Sequence, residues 1–326
     1  MLCGHGVRWI SAEIQPVEPA LVCTSEGMSS MTSLNSSSVP RVLSIAGTDP
    51  SGGAGTAADL KSITAAGGYG MAVVTSLVAQ NTHGVRDIHV PPTEFLTAQL
   101  QAVSDDVVID ALKTGMLGTV EIIETVAAWL DDQPPTVLVV DPVMVATSGD
   151  RLVDQQAEQA MIEFCARATV VTPNIDELAV LTGSEPALDE AQALNQAAAW
   201  ASDTGVSVVV KTGHLFSHWT TNTWVSPDGT RHPVYATRLQ STSTHGTGCS
   251  LSAALATRLG AGDSPGTALS WATQWLHEAI KHGEALHVGS GHGPVDHSYR
   301  ARQLQGWTIE APSDEAAQPT AVKGGS

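Results

Sequence analysis

The segment STSTHGTGCSLSAALA, residues 241–256, contains the residues of this chain best suited to chemistry on an anion. The small residues Gly246, Thr247 and Gly248 lead directly into an alanine-rich helical pattern. The first amide groups of a helix have no intrahelical acceptor and lie at the positive end of its dipole, so they bind anions readily. The loop therefore predicts an anion-binding turn, suited to a phosphoryl group whose charge must be stabilised as it moves.

Cys249 stands where that helix begins. A helix N-terminus lowers the pKa of a thiol from its ordinary value of about 8.5 and favours the thiolate. We therefore expect Cys249 to be a reactive group facing the anion site. The alternative is that it is only a small buried residue of the helix.

Polar residues after two other strands could serve the same site. Asn174 and Glu177 are three residues apart at the start of a predicted helix, so they share one face and could hold a hydrated Mg²⁺ ion. A glutamate in a first helical turn is also an ordinary choice that complements the helix dipole. Asp141 ends an apolar strand, where a carboxylate either caps the next turn or serves the site.

Alternating strand and helix patterns must position these residues. The strand-like runs are RVLSIAG, GMAVVTSLVA, VIDALKTG, TVLVVDP, ATVVTP and VSVVVKTG, and helical patterns separate them. Apolar strands without alternation predict a parallel sheet covered on both faces, a doubly wound α/β fold. Within residues 221–236, Asp228-Gly229 predicts a β-hairpin.

In such sheets ligands bind beyond the C-terminal ends of the strands. We expect six loops at that edge: residues 46–55, 79–84, 113–117, 141–144, 172–177 and 211–214. The first contains SGGAG, which lacks the Lys-Ser/Thr of a P-loop, so its glycines are expected to let a flat ligand approach the backbone. The alternative for each loop is that Gly and Pro only turn the chain.

Composition excludes some functions. The formal charge is −18 and only 15 of the 326 residues are Lys or Arg, which argues against a nucleic-acid partner. No run approaches the roughly 18 apolar residues of a membrane span, and the chain start does not resemble a signal peptide. Four cysteines without CxxC spacing fit a reducing compartment, so a cytoplasmic location is expected.

Residues 1–38 and 306–326 are predicted to be disordered tails around one domain, 39–305.

The order of the motifs resembles a known family. The segments IAGTDPSGGAGTAADLKS, VTSLVAQNTHGV, KTGML, DPVM, TPNIDE, KTGH, THGTGCSLSAALA and VGSGHGPVDH are similar to those of the hydroxymethylpyrimidine/phosphomethylpyrimidine kinases of thiamine biosynthesis. The resemblance covers residues 40–300. It implies a ribokinase-like three-layer α/β/α fold, with a mostly parallel central sheet and helices on both faces.

The activity implied by this resemblance is ATP-dependent phosphorylation of 4-amino-5-hydroxymethyl-2-methylpyrimidine to its monophosphate and then to the diphosphate. The cosubstrate would be ATP with Mg²⁺, and the chain would form a homodimer. Pyridoxal kinase activity in the same pocket and a catalytically silent pyrimidine-binding protein are the alternatives. The family often has Lys-Asn where this chain has Thr242-Ser243, a difference that removes a positive charge near the expected ATP.

The resemblance also assigns roles to individual residues. Gly246, Thr247 and Gly248 would form the anion hole, and Cys249 would occupy the place of the aspartate base of sugar kinases. The pyrimidine would be bound by Gln80, Gly47, Asp59, Val78, Met116 and Val143. The nucleotide would lie along Lys211, Thr172 and Asn174, and the metal would be held by Glu177 and Asp141.

Overall fold

An eight-stranded sheet forms the centre of the fold in the computed structural model, which describes residues 39–144, 155–213 and 219–307. All strands of the described residues, of which β3 and β4 lie outside this sheet, are in chain order β1 (Arg41–Ala46), β2 (Tyr69–Val74), β3 (Leu77–Asn81), β4 (Gly84–His89), β5 (Ala111–Thr114), β6 (Leu138–Val140), β7 (Val170–Val171), β8 (Ser207–Lys211), β9 (Trp219–Val225) and β10 (Arg231–Thr237). The order across the sheet is β10-β9-β8-β7-β6-β5-β1-β2. All neighbours from β2 to β8 are parallel, whereas β9 and β10 join antiparallel. The predicted mostly parallel sheet is confirmed.

Helices cover both faces of this sheet. They are α1 (Gly55–Ala65), α2 (Thr93–Ser104), α3 (Val120–Asp132), α4 (Gln155–Cys165), α5 (Ile175–Thr182), α6 (Glu190–Thr204), α7 (Thr247–Gly260), α8 (Pro265–Gly283) and α9 (Tyr299–Leu304), with a 3₁₀ turn at Glu284–Leu286. Successive strand residues point to opposite faces: Val208 and Val210 pack in the core under α2 to α6, and Val209 in the core under α1, α7 and α8. This is the expected three-layer α/β/α architecture.

The hairpin predicted at Asp228-Gly229 joins β9 to β10. Gly229 has φ +83°, a conformation that glycine adopts without steric cost, and the Asp228 carboxylate accepts a hydrogen bond from the Thr230 amide at 2.9 Å. The turn chemistry visible in the sequence is therefore the turn chemistry of the fold.

The run GMAVVTSLVA, residues 70–79, was predicted to be one strand, and this is wrong. β2 ends at Val74, and β3 leaves the main sheet to pair with β4 in a separate two-stranded sheet. The side chain of Thr75 donates to the Met116 carbonyl at 2.8 Å, and Thr48 Oγ1 accepts from the Val78 amide at 3.0 Å. These bonds to distant segments turn the chain, so loop 79–84 belongs to the β3–β4 hairpin and not to a strand end of the main sheet.

The predicted tail 1–38, all but two residues of the predicted tail 306–326, and His214 of the KTGH motif lie outside the described residues. The domain limits 39–305 stay a prediction. Within the described ranges, no helix is long and apolar enough to cross a membrane.

Candidate active site

A cavity of about 690 Å³ opens at the edge where the parallel strands end. Its wall is formed by the loops after β1, β5, β6, β7 and β8, by the β3–β4 hairpin, by β9, β10 and α8, and by the start of α7. Most of the predicted site residues line it: Gly47, Val78, Gln80, Met116, Asp141, Val143, Asn174, Glu177, Lys211, Gly246, Thr247, Gly248 and Cys249. The geometry thus brings together residues spread over more than 200 positions of the chain.

The anion loop, Gly246 to Gly248, is held against a second glycine loop, SGGAG at residues 51–55. Gly246 caps α7 in the left-handed conformation, φ +76°, and a Cβ atom there would overlap the carbonyl oxygen of Gly53. A Cβ atom at Gly53 would overlap the His245 ring, and one at Gly55 the carbonyl oxygen of Gly47. The sequence predicted that the SGGAG glycines let a flat ligand approach, but Gly53 makes room for the His245 ring and Gly55 for the backbone of Gly47.

Asp49 fixes this second loop, and it was missed at the sequence level. Its carboxylate accepts hydrogen bonds from the Ser51 and Ala54 amides, both at 2.8 Å, and from His245 Nε2 at 2.8 Å. Burial acts to raise the pKa of Asp49, but the hydrogen bonds from His245 and Ser51 outweigh it and hold that pKa well below its usual range. The His245–Asp49 pair therefore ties the anion loop to the glycine loop.

Lys211 and Asp141 form an ion pair at the bottom of the anion loop. Lys211 Nζ lies 3.3 Å from Asp141 Oδ1, and a Cβ atom at Gly248 would lie 3.5 Å from both Lys211 Nζ and Asp141 Oδ2. Burial acts to lower the pKa of Lys211, but Asp141 and then Glu177 raise it above its usual value. Lys211 is therefore a charged ammonium group directly beside the anion loop.

Asn174 and Glu177 form a capping box at the start of α5. Asn174 Oδ1 accepts from the Glu177 amide and Glu177 Oε2 accepts from the Asn174 amide, both at 2.8 Å. The ordinary helix-terminal role considered for Glu177 is therefore present, and it places the buried carboxylate in the cavity wall. Burial raises the pKa of Glu177 to about 7, with Lys211 opposing and Asp141 adding to the shift.

The raised pKa of Glu177 predicts that stability falls as pH rises. Its folded-state pKa of about 7 exceeds the ordinary 4.5, so the folded chain binds the extra proton between these values. This contribution is complete below pH 4.5 and is lost as pH rises through 7. Between pH 5 and pH 8 in metal-free buffer, we expect wild type to lose on the order of 2 kcal/mol more unfolding free energy than Glu177→Gln.

Urea unfolding at both pH values measures this difference. Glutamine can keep the hydrogen bond of the capping box but cannot titrate, so it isolates the proton from the cap. An equal loss of stability in the two proteins would contradict the assignment.

The expected lowering of the Cys249 pKa is wrong. Burial raises the pKa of this thiol to about 11; Lys113 opposes the shift, while Asp59 and Asp141 add to it. The thiol is partly exposed to the cavity and is protonated at neutral pH. The position of Cys249 at a helix start predicted a thiolate. That prediction failed because burial of the thiol, and the two carboxylates distant in the sequence, raise its pKa.

Asp59 and Thr172 do not line the cavity. Asp59 is fully buried; Lys113 Nζ donates to its two oxygens at 2.8 and 2.9 Å, and Ser44 Oγ donates at 2.6 Å. Thr172 is also fully buried, and its hydroxyl donates to Asp141 Oδ1 at 3.0 Å. Both side chains are thus placed behind the site, where Asp59 neutralises Lys113 and Thr172 orients Asp141.

Two further features of the site were not predicted from the sequence. Asn222 and Thr273, joined by a 3.1 Å hydrogen bond, add polar groups to the cavity wall from β9 and α8. Thr242 is exposed, whereas Ser243 is buried and packs against Gly283 and Gly293. The departure from Lys-Asn thus includes a small residue in a tightly packed position.

Comparison with known families decides where the chain belongs. The family described as phosphomethylpyrimidine kinase has a sequence model that matches residues 49–296, a range that contains most of the residues lining this cavity. The chain belongs to the phosphomethylpyrimidine kinase family. The resemblance found in the motifs is thereby confirmed.

Curated relatives agree with the family. The chain is 55% identical over 265 residues to the thiamine biosynthesis multifunctional protein ThiED of Corynebacterium efficiens, a match covering 81% of this chain and 36% of that protein. It is 41% identical over 266 residues to the hydroxymethylpyrimidine/phosphomethylpyrimidine kinase of Haemophilus influenzae, covering 80% of this chain and 97% of that enzyme. The chain thus spans about a third of the Corynebacterium protein but nearly the whole Haemophilus kinase.

A solved structure shows the same fold. The chain is 30% identical to Bacillus subtilis pyridoxal kinase in its ADP complex, with a TM-score of 0.73 over 81% of this chain and 99% of that one. The ribokinase-like fold class implied by the family is confirmed.

Proposed function

We propose that this chain transfers the γ-phosphoryl group of ATP to 4-amino-5-hydroxymethyl-2-methylpyrimidine, and then to the resulting monophosphate. The observation that carries this proposal is the juxtaposition of Gly248 with the Lys211–Asp141 ion pair in one cavity. An anion-binding helix start and a partly buried ammonium group stabilise a phosphoryl group in transfer from two sides.

The substrate end of the cavity suits a flat, weakly polar ring. Val78, Met116 and Val143 offer apolar surface, and Gln80 offers an amide that can both donate to and accept from an aminopyrimidine edge. Gly47 lets Ser76 and Met116 pack closely at this end, because a Cβ atom there would lie 2.6 Å from Ser76 Oγ and 2.9 Å from Met116 Cε. The cavity volume of about 690 Å³ is within the usual range for small-molecule sites.

The donor set at the nucleotide end fits Mg²⁺. Asp141 and Glu177 are buried carboxylates, and Asp141 contributes to the raised pKa of Glu177, so a divalent cation between them would relieve their repulsion. Mg²⁺ commonly uses one or two carboxylates with waters and substrate phosphates. When bound, the ion would neutralise charge on the ATP phosphates. We propose Glu177 and Asp141 as its protein ligands, with Lys211 and Asn174 along the nucleotide.

We propose that Cys249 contacts the substrate hydroxymethyl group. Because its thiol is protonated at neutral pH, it is better suited to orient the attacking hydroxyl by hydrogen bonding than to act as a preformed base. The loose transition state of phosphoryl transfer needs little proton removal before the bond to phosphorus forms. The amides at the start of α7 then supply most of the charge stabilisation.

Cys249→Ala is expected to lower kcat about 10-fold to 100-fold and to raise KM less, because orientation of the hydroxyl is lost. Cys249→Ser keeps a hydrogen-bonding group and should retain more activity than alanine. Steady-state kinetics of the three proteins measure both constants. Unchanged turnover in Cys249→Ala would mean that the thiol only lines the pocket.

A product assay tests the function itself. The chain is incubated with ATP, Mg²⁺ and the hydroxymethylpyrimidine, and the mono- and diphosphates are separated by chromatography. Monophosphate followed by diphosphate supports both steps, and monophosphate alone supports the first only. No product would refute the proposal, and tight pyrimidine binding without turnover would favour a silent binding protein.

A second candidate substrate is pyridoxal. The similarity to a pyridoxal kinase structure favours it, since pyridoxal is also an aromatic ring bearing a hydroxymethyl group. The ratio of kcat/KM for the two substrates decides between them.

We also propose that the chain forms a homodimer through the β3–β4 hairpin. Leu77, Val85 and Ile88 of this hairpin are exposed apolar residues, the last two at the cavity wall, and a second copy of the chain could cover them. Light scattering of the purified chain tests this assembly.

A further inference from the structure

The segment HVGSGHGP, residues 287–294, crosses between two parts of the site, and we call it the glycine strap. It follows the 3₁₀ turn at the end of α8. The family comparison and the proposed function assign no task to it. Its contacts, however, reach both the β3–β4 hairpin, which carries Gln80, and the anion loop.

At one end the strap is bonded to the turn between β3 and β4. The His292 amide donates to the Thr82 carbonyl at 2.9 Å, and the Gly291 amide donates to Thr82 Oγ1 at 3.2 Å. His83 Nε2 and Ser290 Oγ are 2.9 Å apart. This turn follows Gln80, the polar residue at the substrate end, by two positions.

Close packing at this junction requires glycine. A Cβ atom at Gly291 would overlap the carbonyl oxygen of Thr82, and one at Gly289 would overlap its hydroxyl. Thr82 itself is buried. The turn is thus enclosed by the strap, and even a methyl group on Gly291 would push the two segments apart.

At its other end the strap is bonded to the anion loop. The His245 amide donates to the Gly293 carbonyl at 3.0 Å, and His245 forms a parallel bridge with Pro294. His245 directly precedes Gly246, which caps α7. One short segment therefore spans from the residues next to Gln80 to the residue next to the anion hole.

We propose that the glycine strap is a positioning element that sets the distance between Gln80 and the anion loop, with Thr82 and Gly291 as its positioning residues. A pyrimidine held by Gln80 would then present its hydroxymethyl group to the phosphate at the anion loop. The inference rests on the proposed function, because it concerns the alignment of that substrate with ATP.

The first variant is Thr82→Val, which removes the hydroxyl but keeps the shape of the side chain. The second is Gly291→Ala, which forces the strap away from the hairpin. We expect the KM for the hydroxymethylpyrimidine to rise about 3-fold in Thr82→Val and about 10-fold or more in Gly291→Ala, because Gln80 moves away from the ring. We also expect kcat to fall, because the hydroxymethyl group loses its alignment with the phosphate, while the KM for ATP changes less than about 2-fold. Calorimetric binding of the pyrimidine without ATP should show the same loss.

A double-variant cycle tests whether the effect passes through Gln80. Adding Thr82→Val to Gln80→Ala should change the pyrimidine KM less than about 2-fold further, because the positioned group is already absent. Thr64→Val, an exposed threonine of α1 whose hydroxyl bonds only within its own helix, is the matched control and should behave as wild type.

The outcomes are distinguishable. If wild type neither binds nor phosphorylates the pyrimidine, the proposed function fails first. If wild type is active and Thr82→Val leaves its KM unchanged, or if both substrates' KM values rise equally, the strap is only structural and the inference is overturned. Should Gly291→Ala fail to fold, as thermal melting would show, Thr82→Val and the cycle with Gln80→Ala decide.

Discussion

Replacing Lys211 by methionine is expected to lower kcat by about 100-fold to 1000-fold, the range seen when a preorganised charge-stabilising donor is removed. Lys211 Nζ lies beside Asp141 and beside the anion loop at Gly248. Its ammonium group stays charged because Asp141 and Glu177 outweigh the effect of burial. Methionine keeps most of the chain length but removes the charge that would neutralise the transferring phosphoryl group.

The effect should fall on turnover and not on recognition of the pyrimidine. Because Lys211 is proposed to lie along the nucleotide, the pyrimidine KM is expected to change little. Steady-state kinetics with each substrate varied will separate turnover from pyrimidine recognition. Lys281→Met is the control, since Lys281 is an exposed lysine paired with Glu278 on the surface of α8. A kcat for Lys211→Met within about 5-fold of wild type would show that the ammonium group does not stabilise the transition state.

The main sheet could be predicted because its signal is local. Runs such as VSVVVKTG are apolar on both faces, which is typical of strands covered by helices on both sides, and the structure places Val208 and Val209 in opposite cores. The error in predicting a single strand at residues 70–79 also comes from a local signal. Its β propensity is continuous, and hydrogen bonds from Thr75 to Met116 and from Val78 to Thr48, both distant in the sequence, divide it.

The sequence could predict which residues line the site, but it could not predict the protonation state of Cys249. Loop positions and motifs placed Lys211, Asp141 and Cys249 at one edge of the sheet, and all three line the cavity. The protonated state of Cys249, by contrast, depends on burial and on Asp59, which the family resemblance placed beside the substrate. The buried Asp59–Lys113 pair joins residues 54 positions apart, and no spacing rule reports such a contact.

Gly246→Ala is expected to reduce kcat by about 100-fold to 1000-fold, because it displaces the amides that would bind the transferring phosphoryl group. Gly246 has φ +76°, and a Cβ atom there would overlap the backbone oxygen of Gly53. Since backbone atoms of the SGGAG loop cannot rotate aside, the loop before α7 must move. Purified protein assayed for turnover, with thermal melting to confirm folding, measures the effect.

Gly205→Ala separates this clash from the cost of the backbone conformation alone. Gly205 also has φ +76°, but a Cβ atom there would meet nothing within 4 Å. Both variants are expected to lose stability by about 1 kcal/mol for the left-handed conformation, and only Gly246→Ala should lose turnover. An equal loss of kcat in both would trace the effect to general destabilisation, whereas normal turnover in Gly246→Ala would show that the contact with Gly53 does not position the anion loop.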